Sequence, residues 1–405
     1  MRHTLVLPLL CILAGVQAIG RQRRQGYGRE DPLAAVGATV ADGSSKSTTQ
    51  TQASGRSKRF LIATFPKMRQ VAYVSPPDDV WRPLVVGTVV EPGGIAIDSQ
   101  GRRLYIADPG SKAIWWYQLR VGSTGLLETT GVQKAAVEGC EAQWLAVNPV
   151  GDLYFTGTME GSANSTSSIF RQDAKNIAGG QTRKAVEVYT RSNSGMPSPK
   201  AWTPSGVAVD SVYIFWGNTQ EGSSHGSVVK GSRENIGLLS QDKQLKTLSY
   251  AADDVRGVCT TGTHVFFLSS KGIYGVLKSS SKASADSAQG LLCPSPITSD
   301  GSVSPWNPTG LAWDGDNSLF LTDSEYGVIY TLPSLNIQQH NLTRFTEAPG
   351  SHGLAFISIT TGVGSAAREV FPNASIFGRQ PCLILMLLGL LLALATSSSP
   401  HAASR

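Results

Sequence analysis

Short apolar runs separated by turn formers fill residues 60–360, and one run recurs as a phrase. It reads Gly94-Ile-Ala-Ile-Asp98, Trp144-Leu-Ala-Val-Asn148, Gly206-Val-Ala-Val-Asp210, Gly257-Val-Cys-Thr-Thr261, Gly310-Leu-Ala-Trp-Asp314 and Gly353-Leu-Ala-Phe-Ile357. The third positions lie 50, 62, 51, 53 and 43 residues apart, the length of one propeller blade. A second apolar run follows each of the first five phrases, such as Arg103-Leu-Tyr-Ile-Ala-Asp108, His264-Val-Phe-Phe-Leu268 and Ser318-Leu-Phe-Leu-Thr-Asp323. Unbroken apolar runs of this length read as strands buried on both faces. Third strands are expected at Ala113–Tyr117, Ser168–Phe170, Ser227–Val229, Gly272–Tyr274 and Val328–Tyr330.

The ends of the repeat do not make whole blades. The repeat begins with a second strand, Phe60–Thr64, a third, Gln70–Val74, and a fourth, Leu84–Val89, while the sixth phrase stands alone at its end. Joining the two parts completes one blade and removes the exposed sheet edges of an open array. The fold expected is therefore all-β, a six-bladed β-propeller closed by N- and C-terminal strands that share the last blade. The pattern G-[IV]-A-[IV]-D followed by L-Y-x-x-D resembles the six-bladed propellers of the NHL and low-density-lipoprotein-receptor YWTD type over about residues 60–360. Asp108 and Asp323 match the closing Asp of that box; Gly157, Trp216 and Leu268 stand in related places and depart from it. The resemblance implies a fold and leaves the function open.

Six-bladed propellers also include calcium-dependent lactonases and esterases, and this chain resembles them at blade level. A hard cation needs several oxygen ligands converging on one point. The residues preceding the six phrases are Gly93, Gln143, Ser205, Arg256, Thr309 and His352, with no carboxylate among them. That set argues against a metal hydrolase, and neither metal nor cofactor is expected. Asp98, Asn148, Asp210 and Asp314 end their phrases just before turns and read as caps on turn N–H groups. Cys259 reads as a small core residue. Trp202-Thr-Pro-Ser-Gly206 and Trp306-Asn-Pro-Thr-Gly310 share the spacing W-x-P-x-G in loops leading into two blades. With Arg256 and His352 they make a candidate aromatic and cationic rim for an extracellular protein or small ligand; the alternative is packing at the blade edges. The reading favours a binding module over an enzyme of the lactonase or strictosidine-synthase-like type.

Composition locates the protein more than it explains it. With 16% charged residues, 43 Gly and 21 Pro, the 405-residue chain fits many short strands. The formal net charge of +6 resides in the flanks: residues 21–59 carry +5, whereas 60–378 carry −2. A nucleic-acid partner loses its main support. Residues 1–20 combine a basic start, an apolar run and small residues, the pattern of a secretory signal peptide. Residues 21–59 lack core-forming side chains and read as a disordered basic pro-region or linker. They contain the tetrads ending at Arg24 and Arg59, which resemble furin-type convertase sites, and a mature start at Phe60 is one expectation.

After a linker at 361–381, the apolar run 382–395 covers about 21 Å in helical rise, short of a hydrocarbon core of roughly 30 Å. It reads either as a glycosylphosphatidylinositol attachment signal or as a short membrane anchor, followed by a polar tail at 396–405. Asn164, Asn341 and Asn373 lie in N-glycosylation sequons. Of five cysteines, Cys140, Cys259 and Cys293 fall in or near the repeat and allow at most one disulfide among themselves.

Overall fold

The computed structural model describes residues 56–162, 167–190, 201–220, 226–233, 245–252, 254–270, 272–280, 289–292 and 307–361. Arg24, Asn164, Trp306, Asn373, Cys293 and the segments 1–20 and 382–395 lie outside them. The strands in chain order are β1 (Arg56–Phe65), β2 (Gln70–Val74) and β3 (Arg82–Val86), then β4 (Ile95–Asp98), β5 (Arg103–Asp108), β6 (Ala113–Val121) and β7 (Leu127–Glu138). Next come β8 (Cys140–Val147), β9 (Leu153–Met159), β10 (Ser168–Gln172) and β11 (Val186–Tyr189), with one short helix, α1 (Ala174–Ala178), between the last two. β12 (Pro204–Val209), β13 (Tyr213–Asn218), β14 (Gly226–Ser232) and β15 (Lys246–Ala252) follow, then β16 (Val258–Thr260), β17 (His264–Ser269), β18 (Gly272–Leu277) and β19 (Gln289–Leu292). β20 (Pro308–Trp313), β21 (Ser318–Asp323), β22 (Val328–Pro333), β23 (Thr343–Glu347) and β24 (Leu354–Thr361) complete the set.

These strands form six four-stranded antiparallel sheets among the described residues. Five run in chain order, and the sixth has the order β24-β1-β2-β3. The innermost strands β4, β8, β12, β16, β20 and β24 touch in a closed circuit, so the sheets are the blades of a six-bladed propeller. The second strands supply the bulk between blades: Tyr105, Tyr154, Phe155, Phe215, Trp216, Phe266 and Phe267 are fully buried. The third positions of the phrases, Ala96, Ala208, Cys259, Ala312 and Ala355, are small and buried, because neighbouring inner strands leave little room near the axis.

The glycines of the phrases answer a demand for close approach. A side chain at Gly206 would collide with the Arg256 carbonyl of the next blade, and one at Gly310 with the His352 carbonyl. Threonine hydroxyls stitch three of these junctions. Thr64 Oγ1 accepts from Gly353 N at 2.8 Å and donates to the Gly93 carbonyl at 2.6 Å. Thr322 Oγ1 accepts from Gly310 N at 2.6 Å and lies 3.1 Å from the His352 carbonyl, and Thr156 Oγ1 donates to Ser205 O at 2.8 Å.

Three details differ from the sequence reading. The fourth strand of the shared blade ends at Val86 rather than Val89, because Gly87 turns the chain with φ 74°. The box residues equivalent to Asp108 and Asp323 are Asn218 and Ser269, not Trp216 and Leu268, as the pairings Val207↔Trp216 and Val258↔Phe267 show against Leu311↔Leu321. Gly157 does hold that position; a bulge between Ala142 and Trp144 presses the Glu141 carbonyl against it, and at φ 152° only glycine fits without strain. Finally, β1 starts at Arg56 and not at Phe60. Its register against β24 runs from Arg56↔Thr361 to Ala63↔Leu354. Lys58 Nζ donates to the Gly125 carbonyl at 3.0 Å, while Arg59 pairs with the buried Asp314 and lies 5.1 Å over the Phe356 ring.

The basic tetrad is thus a run of ladder positions, whereas proteases require an exposed, extended segment. A furin-type convertase is expected to leave the bond after Arg59 uncut in the folded protein and to cut it after denaturation; N-terminal sequencing of the digest reads the result. Placing a methyl group at a junction should also destabilise the ring: Gly310→Ala is expected to cost about 1–3 kcal/mol by overpacking, measured by chemical denaturation.

Candidate functional site

Each inner strand runs from the glycine end of its phrase to the acidic end, so the two ends of the channel carry different chemistry. At the glycine end lies a cavity of about 400 Å³ whose lining includes all six residues that precede the phrases: Gly93, Gln143, Ser205, Arg256, Thr309 and His352. Trp144 joins them. It occupies the place of a phrase glycine, and the bulge between Ala142 and Trp144 sets it into the mouth. Its indole stacks on the His352 imidazole with centroids 5.2 Å apart and planes 27° apart. His352 comes from the shared blade and Trp144 from the blade after next, so the pair bridges the opening.

Arg256 is held from two sides. Its Nε and Nη2 donate to Asp254 Oδ2 at 2.9 and 2.7 Å, and its Nη1 donates to Asn307 Oδ1. Asn307 is itself fixed, its Nδ2 donating to Ser324 Oγ at 2.8 Å. Asp254 adopts a left-handed backbone at φ 50°, an uncommon conformation for a non-glycine residue. The guanidinium is therefore positioned before any partner arrives, which lowers the entropy cost of using its remaining N–H groups. Burial and the nearby Arg256 charge push the His352 pKa below the ordinary histidine value, against a weaker opposing effect of the Gly93 carbonyl. His352 is accordingly neutral at pH 7, and its Nδ1 has no partner among the described residues.

Below the mouth the channel closes. A void of only about 30 Å³ is lined by Ile95, Leu145, Val207, Val258, Leu311 and Leu354, one aliphatic residue from each blade, together with Trp144, Gly257 and Gly353. No group of three or more His, Cys, Asp or Glu among the described residues could hold a metal ion. The phrase-ending polar residues cap their turns. Asn148 Oδ1 accepts from Val150 N and Asp152 N, Asp210 Oδ1 from Val212 N and Tyr213 N, and Asp314 Oδ1 from Asp316 N and Ser318 N, all at 2.8–3.0 Å. Asp98 does the same for Gly101 N at 2.9 Å. Cys140 and Cys259 are buried and free, and burial raises both thiol pKa values, that of Cys140 to about 12.

Of the four rim residues expected from sequence, the structure brings Arg256 and His352 into one cavity. Trp202 is half-buried and is not part of the lining; the adjacent Thr203 bonds to Thr219, which is. Trp306 lies outside the described residues. Trp144 is the site residue that the sequence reading passed over, although its replacement of a phrase glycine was visible. Asn341 sits exposed in the loop before β23.

No family model matches the sequence, and no curated protein does. Solved structures do match. A chain of the nidogen/laminin complex superposes with a TM-score of 0.51 at 9% identity, covering 74% of this chain and 98% of that one. An aldose sugar dehydrogenase from Streptomyces coelicolor in its PQQ-bound form gives 0.46 at 14% identity, over 71% and 93% of the two chains. A gluconolactonase from Xanthomonas campestris gives 0.40 at 13% identity, over 69% and 87%.

The depressed pKa values set a sign for acid stability. His352 and His264, both lowered by burial, contribute stability above the ordinary value of 6.5 that is lost as pH falls through their folded values. Asp323, raised by burial against the N–H groups of Tyr326 and Glu325, has the opposite sign: its contribution is present below 3.8 and is lost as pH rises through its folded value. Comparing wild type with His352→Gln isolates the first effect. The variant is expected to lose less Tm than wild type between pH 7 and pH 5, measured by differential scanning calorimetry. Together the blades, their register and the superposition identify the chain as a six-bladed β-propeller, sharing that fold with the chain from the nidogen/laminin complex.

Proposed function

We propose that the protein is a secreted or surface-anchored interaction module that captures a protein or small ligand at the glycine end of its channel. The observation that carries this reading is the preset Arg256 guanidinium beside the stacked Trp144–His352 pair, directly over a channel sealed by six aliphatic side chains. Aromatic and arginine groups held in place are what binding hot spots use, because little freedom remains to be lost on association. Among the described residues Glu91 is the single carboxylate lining the mouth, fewer charged oxygen ligands than a hard cation gathers, which argues against the lactonase-like alternative. The likeness to a chain from the nidogen/laminin complex supports a protein partner in the same spirit.

The secretory signal at 1–20, the exposed sequon at Asn341 and the apolar segment at 382–395 support an extracellular, membrane-attached site of action. No helix among the described residues is long and apolar enough to cross a membrane. Release of surface protein by phosphatidylinositol-specific phospholipase C would identify a lipid anchor, and retention would identify a spanning segment.

Millimolar calcium is expected to leave the Tm unchanged in a thermal-shift titration, because a ligand that does not bind the folded state does not stabilise it. A rise of several degrees would return the metal-dependent enzyme to first place.

A further inference from the structure

The far end of the channel carries a second and larger cavity, of about 710 Å³, within the range of small-molecule sites. Its floor is made by Val209, Thr260 and Trp313, the final residues of three inner strands, so the aliphatic seal separates it from the mouth. Its apolar lining is Trp313, Val209, Pro149 and Leu335, the last 64% exposed, and its polar lining includes Asp210, Thr261, Thr263, His264, Lys278 and Asp316. Lys278 Nζ lies 3.0 Å from Asp210 Oδ2, with the side chains 16% and 26% exposed.

That ion pair is a built feature. Asp210 is oriented by the turn N–H groups of Val212 and Tyr213, and the Lys278 ammonium lies 5.3 Å over the Phe215 ring. Lys230 Nζ donates to the Lys278 carbonyl at 2.8 Å. Thr263 Oγ1 is 2.9 Å from His264 Nδ1, and Thr261 Oγ1 accepts from His264 N at 3.1 Å. Each hydroxyl can make more than one hydrogen bond, so donor and acceptor capacity remains on this wall.

The charges decide the class of ligand. Two lysines, Lys278 and the neighbouring Lys230, stand against two carboxylates, Asp210 and Asp316, so the wall has no net charge with which to select an anion or a cation. A wholly apolar ligand would strip water from the ion pair without replacing its hydrogen bonds, a net cost. A neutral polyhydroxylated ring meets neither objection. Its hydroxyl pairs can donate to Asp210 and accept from Lys278 at adjacent positions, a further hydroxyl can donate to Asp316 at the rim, and its C–H face can cover Trp313. We propose that this cavity is a binding site for a neutral saccharide, independent of whatever the channel mouth binds.

Saturation-transfer NMR on the full-length chain, freed of its own N-glycans, tests this with the methyl glycosides of glucose, galactose and mannose at about 10 mM, a concentration suited to millimolar affinity. Transfer to the ring C–H protons of at least one glycoside is expected. Trp313→Ala and Asp316→Asn should each weaken that binding about fivefold or more, whereas Arg256→Gln at the mouth should leave it unchanged. Asp316 is exposed on a turn, so its variant reports on binding even if Trp313→Ala fails to fold. Absence of transfer with all three glycosides, binding that Asp316→Asn or a folded Trp313→Ala leaves intact, or loss in Arg256→Gln would each overturn the assignment.

Discussion

Six inner strands must meet around one axis, and every other feature depends on how closely their backbones approach. Glycine at the head of a phrase permits the approach, since a side chain there would enter the carbonyl of the next blade, as at Gly206 against Arg256 and Gly310 against His352. At Thr64 and Thr322 of the second strands the hydroxyl accepts from an N–H of its own blade and donates to a carbonyl at the next junction, so polar backbone groups near the axis keep partners without water. The circuit is completed by β1 on β24, where residues at opposite ends of the repeat pair over eight positions. That pairing draws in the basic tetrad. Arg59 reaches the buried Asp314 of the neighbouring blade, so a segment that reads as a linker works as the end of the ring.

Close approach also dictates where chemistry can occur. With one aliphatic side chain from each blade meeting on the axis, the middle of the channel is filled, and polar side chains are displaced to its two ends. At the glycine end, the residue preceding each phrase necessarily faces the opening, which gathers Arg256 and His352 from positions far apart in sequence. At the acidic end, turn caps such as Asp210 keep one oxygen for the turn and leave the other for a neighbour such as Lys278. One repeat therefore yields two unlike surfaces: a preset arginine with an aromatic pair at one, and a mixed apolar and ion-paired bowl at the other.

How much of this could be read in advance follows from what leaves a periodic trace. The inner and second strands recur because every blade needs small residues near the axis and bulk between blades, so their number and order were legible. Of the fourth strands only that of the shared blade was legible, as Leu84–Val89; β23, by contrast, has the exposure pattern of an outer edge and carries residues such as Thr343 and Arg344 that could equally belong to a loop. The start of β1 was missed for the same reason: Arg56, Ser57 and Lys58 give no apolar signal, and their order comes from backbone pairing with a strand some 300 residues away. The bulge that moves Trp144 into the mouth depends on a register shift that composition does not encode. The mouth position of Arg256 was legible through the repeat, while its clamp by Asp254 and Asn307 was a matter of three-dimensional placement.

Closure of the ring through β1 and β24 is the claim on which the rest stands, and native-state hydrogen exchange followed by mass spectrometry tests it most directly. If closure is as described, peptides covering residues 56–65 and 354–361 exchange as slowly as those covering the inner strands of the other blades, through one shared opening that matches global unfolding. Fast exchange confined to those two peptides, with the remaining blades still protected, would show that the terminal strands do not hold the ring and would contradict the account.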